Sequence, residues 1–309
     1  MMISIVVPVY KCADSLVELH QRVQVVLAKL QVDFELILVN DGSPDNAWSV
    51  IVDLAARDTR VVGLQLTRNF GQHYAITAGL QHSQGDWVVV MDGDLQDQPE
   101  EIEKLLHVAR AGQHDIIFAR RVQRFDSWLK RFSSACFYQV LSYLTDTKQD
   151  STIGNFGMYS RRVIDTLNAM TEHLRYFPVL VRWTGFTMTT VDVTHAARAA
   201  GRSSYSLAKL VRLAFDVIIA FSDKPLRLTV KLGAVIALGS FLFVLYVVGQ
   251  SLYGTDPVEG WASLIVSMWF LSGLIIMILG MIGLYIGKMF DQVKHRPLYL
   301  VKTKLNLPQ

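Results

Sequence analysis

Asp92, Gly93, Asp94, Leu95, Gln96 and Asp97 follow one another directly, and the five residues before them, Trp87 to Met91, are all apolar. An apolar run of this kind reads as a buried strand, which delivers its first polar residues to the edge of a sheet. Two carboxylates as close as Asp92 and Asp94 repel each other unless a cation sits between them. A hard divalent ion such as Mg²⁺ or Mn²⁺ prefers oxygen ligands of this sort, and the phosphates of a substrate complete its shell. The chemistry to expect is neutralisation of charge growing on a departing diphosphate. An Asp-x-Asp triplet is also common in plain turns, so its meaning depends on the elements that hold it.

Those elements alternate between short apolar runs and helix-length amphipathic runs from residue 3 to about 120. The pattern predicts an α/β domain, a doubly wound and mostly parallel sheet with helices on both faces. Strands are expected at 3–9, 34–40, 61–66, 87–92 and 115–119. Asp14 or Ser15 opens the first helix, and Ser43 with Pro44 opens the second as cap and first-turn proline. Ligands of such sheets bind beyond the carboxyl ends of the strands. Three of these ends carry polar residues: Pro8-Val9-Tyr10, Asn40-Asp41-Gly42-Ser43 and the Asp92 run.

The 309 residues are 51% hydrophobic, more than one soluble core needs, while the net charge is only +3. That charge is too mild for a nucleic-acid partner, and no dense basic run is present. Cys12 and Cys136 lie far apart, which fits a reduced cytosolic domain with two small buried hydrophobes rather than a disulfide framework. Residues 1–10 lack the features of a secretory signal and read as a first strand. The histidines show no metal-ligand spacing, although His195 stands three residues before Arg198. There is no Cys/His zinc pattern, Walker loop or GxSxG elbow.

The apolar excess is concentrated towards the C-terminus. Between Lys231 and Lys288 the only charged residues are Asp256 and Glu259, both in the stretch GTDPVEGW. Residues 232–253 and 262–287 are therefore expected to be two membrane-crossing helices, each long enough for a hydrocarbon core of roughly 30 Å. Lys224, Arg227 and Lys231 precede the pair and Lys288, Lys294, Arg296, Lys302 and Lys304 follow it, which puts both ends on the cytoplasmic side. The expected organisation is a cytoplasmic domain over 1–204, an interfacial segment over 205–228, the hairpin within 229–290 and a cytoplasmic tail over 291–309. Residues 125–143 and 205–221 mix apolar and basic positions and suit the membrane interface. Gly280, Gly283 and Gly287 offer a small-residue face for a homo-oligomer.

Taken together, these residues resemble glycosyltransferase family 2 and its polyprenyl-phosphate branch. The carriers are VVPVY at 6–10, VNDGSPD at 39–45, RNFGQ at 68–72, AGL at 78–80, DGDLQDQPE at 92–100, GNF and SRRVID within 154–165, RAAGRSSY at 198–205 and FSDKPLR at 221–227. The resemblance implies a GT-A domain that binds a nucleotide diphosphate-sugar through Pro8, Tyr10, Asp41, Arg68, Asp92, Arg198, Ser203 and Tyr205. It implies a divalent cation, Mg²⁺ or Mn²⁺, at Asp92, Asp94 and Gln96. Catalytic roles fall to Asp94, Arg198 and Asn155, and Arg121 and Arg124 would meet the acceptor phosphate. The donor expected by default is UDP-glucose, the acceptor undecaprenyl phosphate, and the place the inner membrane of a bacterium, where the product feeds cell-envelope glycans such as lipopolysaccharide.

Two positions depart from the family pattern. Tyr10-Lys11-Cys12 stands where many relatives have Tyr-Asn-Glu, and Gly154-Asn155-Phe156-Gly157 where they have Gly-Asp-Phe-Arg. A missing catalytic carboxylate is tolerable when the nucleophile is a phosphate oxygen, which is already ionised near neutral pH. The implied mechanism is a single displacement with inversion. Two alternatives share the family features: a processive polysaccharide synthase, and a non-catalytic membrane scaffold that retains the fold.

Overall fold

The computed structural model describes residues 1–121, 153–194, 219, 222–252 and 260–307. They divide into two units, one built on a sheet and one on two long helices. The sheet contains β1 (Met2–Val9), β2 (Asp33–Asn40), β3 (Val61–Leu66), β4 (Trp87–Val90), β5 (Ile116–Arg121), β6 (Ile153–Ser160), β7 (Met188–Val193) and β8 (Val301–Leu305). Their order is β7-β5-β6-β4-β1-β2-β3-β8. All the pairings are parallel except those that β6 makes with β4 and β5 and β8 makes with β3. The sheet is thus mixed.

The five expected strands are all present, and three more lie beyond residue 119, where none was expected. β6, IGNFGMYS, lacks the apolar run that marks a central strand. Its place between β4 and β5 compensates by burying Phe156, Met158 and Tyr159. Because β6 runs against its neighbours, its first residues arrive at the end of the sheet where β4 and β5 finish.

The register of β1 with β2 is unbroken from Met2 opposite Asp33 to Val9 opposite Asn40. Tyr10 and Asp41 therefore leave the sheet together. Pairing of β1 with β4 stops at Val6 opposite Val90, so Pro8, which has no N–H to give, lies beyond the reach of that neighbour.

Helices α1 (Leu16–Lys29), α2 (Ala47–Arg57), α3 (Gln72–His82) and α4 (Ile102–Arg110) connect the first five strands. Helix α1 buries one stripe, Leu16, Leu19, Val23, Val26 and Leu27, whereas α3 buries every residue from Ala75 to Leu80. Two further helices, α5 (Arg161–Ala169) and α6 (Phe177–Trp183), follow β6. The second helix does not open at Ser43 and Pro44 as expected. It starts at Ala47, whose N–H is accepted by Asp45 at 3.3 Å, while the Ser43 hydroxyl also donates to Asp45. Asp45 outcompetes Ser43 because its carboxylate reaches three donors at once, including the N–H of Ala13 at 3.1 Å.

The segment from Arg296 belongs to the sheet unit. β8 covers the outer edge of β3, the Thr67 N–H donates to the carbonyl of Leu300 at 2.9 Å, and the Asn306 amide donates to the carbonyls of Ala55 at 2.7 Å and Val61 at 3.0 Å. The edge of the sheet thereby passes from β3 to β8, a five-residue strand carrying Lys302 and Lys304, the kind of short, charged edge that discourages pairing with other chains.

The second unit holds α7 (Lys224–Leu252) and α8 (Trp261–Val293), of 29 and 33 residues. Each includes an apolar stretch long enough to cross a bilayer, Lys224–Phe243 and Ser267–Val293. Among the described residues most of their apolar side chains are exposed, Trp269 to 79% and Ile276 to 69%. Long apolar stretches with so much bare surface suit lipid better than water. The hydroxyl of Tyr285 donates to the carbonyl of Ser222 at 2.7 Å within this unit. The amphipathic segment 125–143 and most of 205–221 lie outside the described residues.

Asn306→Ala removes both carbonyl contacts of the returning segment and is expected to cost about 1–2 kcal/mol. The urea midpoint of the detergent-solubilised protein measures it.

Candidate active site

Three sets of residues meet at the carboxyl end of the sheet. The first is the turn after β4. Leu95 adopts a left-handed φ of 60°, a conformation that a residue with a Cβ takes only when its surroundings impose it. Here burial of its side chain does so. The turn brings the N–H of Gln96 to Asp94 at 3.2 Å and the N–H of Asp92 to the buried Asp97 at 3.3 Å. The amide of Gln72, at the start of α3, donates to Asp92 at 2.6 Å, and the Ser15 hydroxyl donates to the Gly93 carbonyl at 2.5 Å.

The second set is the wall after β2. Asp41 accepts the N–H of Phe70 at 2.7 Å and that of Gly71 at 2.9 Å. It fastens the 68–71 loop, whose next residue is the Gln72 that holds Asp92. Gly42 allows this approach: at φ +60° a Cβ on it would lie 2.5 Å from the backbone of Arg68 and Asn69. Arg68 is exposed, with its guanidinium 4.7 Å from the centre of the Phe70 ring. Tyr10 is 40% exposed, the Lys11 ammonium lies 5.5 Å from its ring centre, and the Lys11 N–H donates to Ser43 at 2.8 Å.

The third set comes from β5 and β6. Arg121 ends β5 and pairs with Asp97 at 3.2 Å. Gly154 makes room for it, since a Cβ there would lie 2.9 Å from the guanidinium. Continuing the antiparallel register of β4 and β6 beyond Val90 opposite Gly157 sets Asn155 across from Asp92.

Of the expected site residues, Pro8, Tyr10, Asp41, Arg68, Asp92, Asp94, Gln96, Arg121 and Asn155 lie at this end. Arg124, Arg198, Ser203 and Tyr205 lie outside the described residues, as do His195 and Cys136. Sequence reasoning passed over Gln72, Asp97 and Asp45. Gln72 closes the RNFGQ motif and Asp97 closes the acidic run, so both stood in plain view, but only the fold shows what they touch. Cys12 also sits here. Burial pushes its thiol up to about 12, helped by the charges of Asp45, Asp94 and Asp92, so it stays a neutral thiol rather than a nucleophile.

The family model for glycosyl transferase family 2 matches residues 4–167. The uncharacterized glycosyltransferase YkcC of Bacillus subtilis is 37% identical over 305 residues, covering 98% of this chain and 94% of its own length. The chain belongs to glycosyl transferase family 2. The bactoprenol glucosyl transferase of Shigella phage SfV is 35% identical, with 98% of this chain and 99% of that protein covered. The undecaprenyl-phosphate 4-deoxy-4-formamido-L-arabinose transferase of Proteus mirabilis is 34% identical, with 97% and 93% covered. Among solved structures, mannosyl-3-phosphoglycerate synthase from Rubrobacter xylanophilus aligns with a TM-score of 0.54 at 13% identity over 75% of each chain. That likeness establishes the GT-A-type fold of this family 2 glycosyltransferase.

The charge balance of the site centres on Asp92. Burial raises the Asp92 carboxyl to about 7, and the charges of Asp97 and Asp94 push the same way, against the pull of Arg121 and Gln72. Asp92 thus lies beside two further carboxylates, with Arg121 and the Gln72 amide drawing it the other way. Among the described residues no three His, Cys, Asp or Glu side chains are grouped to hold an ion by themselves. Any ion held at Asp92 and Asp94 would therefore need further oxygens from a bound ligand.

A cation bound at Asp92 would have to displace the proton of its carboxyl. With its carboxyl raised to about 7, Mn²⁺ affinity in the presence of a nucleoside diphosphate is expected to climb by up to about tenfold per unit between roughly pH 5 and 7, then level off. Isothermal titration checks it, and Asp92→Asn should abolish the slope. Because the folded pKa lies above the unfolded one, the contribution of Asp92 to stability falls as pH rises through the same range.

Proposed function

We propose that this glycosyltransferase moves a sugar from a nucleoside diphosphate-sugar, with UDP-glucose the first donor to test, onto undecaprenyl phosphate at the inner face of a bacterial membrane. The observation that carries the reading is the turn at the tip of β4, where Asp92, Asp94 and Asp97 crowd together with Arg121 beside them. Negative charge at this end of the sheet suits a cation and a diphosphate. The neighbouring guanidinium suits a second phosphate, the acceptor. The names of the Shigella phage and Proteus mirabilis relatives support a polyprenyl phosphate as that acceptor.

In the reaction an oxygen of the acceptor phosphate attacks the anomeric carbon. The bond from that carbon to the donor diphosphate breaks, its electron pair leaves with the diphosphate, and configuration inverts. Asp92 and Asp94 would hold a divalent cation, Mg²⁺ or Mn²⁺, which when bound offsets the charge of the leaving group. Gln72 orients Asp92, and Tyr10, Arg68 and the loop clamped by Asp41 shape the donor wall. Arg121 receives the acceptor. An ionised phosphate needs no proton removed, so the uncharged Asn155 opposite Asp92 is compatible with turnover. Positioning and electrostatics carry the catalysis.

Connectivity supports the topology. The chain leaves the sheet unit, passes through α7 and α8, and returns to pair β8 with β3, so an even number of crossings keeps the whole sheet on one side. The lysines and arginines on both flanks of the helix pair favour the cytoplasm for that side.

Membranes containing the protein, given radiolabelled nucleotide sugars, are expected to form a lipid-linked monosaccharide. Polymer would instead indicate a processive synthase, and no product with any donor would indicate a scaffold. Asp94→Asn is expected to lower kcat by about 10²-fold or more, read in the same assay with purified enzyme.

A further inference from the structure

Asp97 is the most deeply buried of the acidic residues in the turn, 2% exposed, and its two oxygens point to different partners. One accepts the N–H of Asp92 at 3.3 Å, and the other accepts from Nη2 of Arg121 at 3.2 Å. A single side chain thus bridges the backbone of the donor turn and the guanidinium from β5. Gly154 leaves the space into which that guanidinium fits.

We infer that Asp97 is a positioning residue that fixes Arg121 for the acceptor phosphate and ties it to the turn carrying Asp92 and Asp94. The inference rests on the proposed role of Arg121. A guanidinium carries five N–H donors in a fixed plane. With Nη2 held by Asp97, the swing of the guanidinium is restricted and its remaining donors stay near the turn for a phosphate to meet. The arrangement also ties the proposed cation-holding turn to the proposed phosphate-binding guanidinium, because the Asp92 N–H and Arg121 are both held by the same carboxylate. A general-base role for Asp97 is excluded by its burial and its pairing, and the reaction requires no base.

The test uses the full-length protein in detergent. Asp97→Asn keeps the shape and the acceptor for the Asp92 N–H but loses the charge that holds Arg121. It is expected to raise KM for polyprenyl phosphate about tenfold, the usual effect of losing one charge-assisted contact, while KM for the nucleotide sugar and kcat change less than about threefold. Equilibrium binding of a short-chain polyprenyl phosphate, measured without donor sugar or cation, should weaken by the same factor. In an Arg121→Ala background the Asp97→Asn change should add less than about twofold, because the two residues act as one unit. Asp97→Glu, which retains the charge, is the second variant and should recover most of the loss.

Additive losses in the double variant, equal loss in the Asn and Glu variants, or an effect on donor KM as large as on acceptor KM would each overturn the inference. If Arg121→Ala alone leaves acceptor binding unchanged, the acceptor assignment fails with it. If Arg121→Ala weakens acceptor binding and Asp97→Asn does not, only the positioning role fails.

Discussion

Carboxylates crowded at the end of a buried strand are the constraint on which the rest of this protein depends. β4 drives Asp92 out of an apolar sheet, and the turn that follows folds back so that Asp94 and Asp97 approach the same region. Burial weakens the solvation of Asp92 and the neighbouring like charges oppose it, which is why its carboxyl is raised to about 7. In the proposed function a divalent cation and a diphosphate would offset that crowding.

Much of the surrounding structure stabilises that arrangement. Gln72 is held by the start of α3, the loop before α3 is held by Asp41, and the tight approach of that loop depends on the absence of a Cβ at Gly42. Further along the same edge, Leu300 accepts from Thr67 where β3 gives way to the loop. The residues that touch the carboxylates thus belong to a connected set of backbone contacts reaching the segment that returns after α8. The returning strand covers the outer edge of β3, so the segment from Arg296 belongs to the sheet unit.

The order of the strands explains why polar residues distant in the chain share one end of the sheet. β1 and β2 run side by side in full register, so the motifs after them emerge together. β6 runs in reverse between β4 and β5, so the GNFG motif, which begins that strand, meets motifs that end others. Arg121 reaches the same place because β5 is flanked by β6 on one side and β7 on the other.

The amino-acid sequence alone determined the α/β alternation of the first 120 residues, the strand tips carrying Tyr10, Asp41 and Asp92, and the two long apolar helices. These are written in local patterns: apolar runs, turn residues and the spacing of charges along a single segment. Eight motifs in order also marked the family. The tertiary structure alone decided that β6 and β8 join the sheet in the opposite direction, because a strand with glycines or lysines is stabilised by its neighbours and not by its own composition. It decided as well that Asp45 rather than Ser43 organises the start of α2, that Asp41 clamps a loop, and that Asp97 pairs with Arg121. Each of these is a contact between residues distant in the chain, or a competition among nearby donors for one carboxylate, and neither leaves a periodic trace in the sequence.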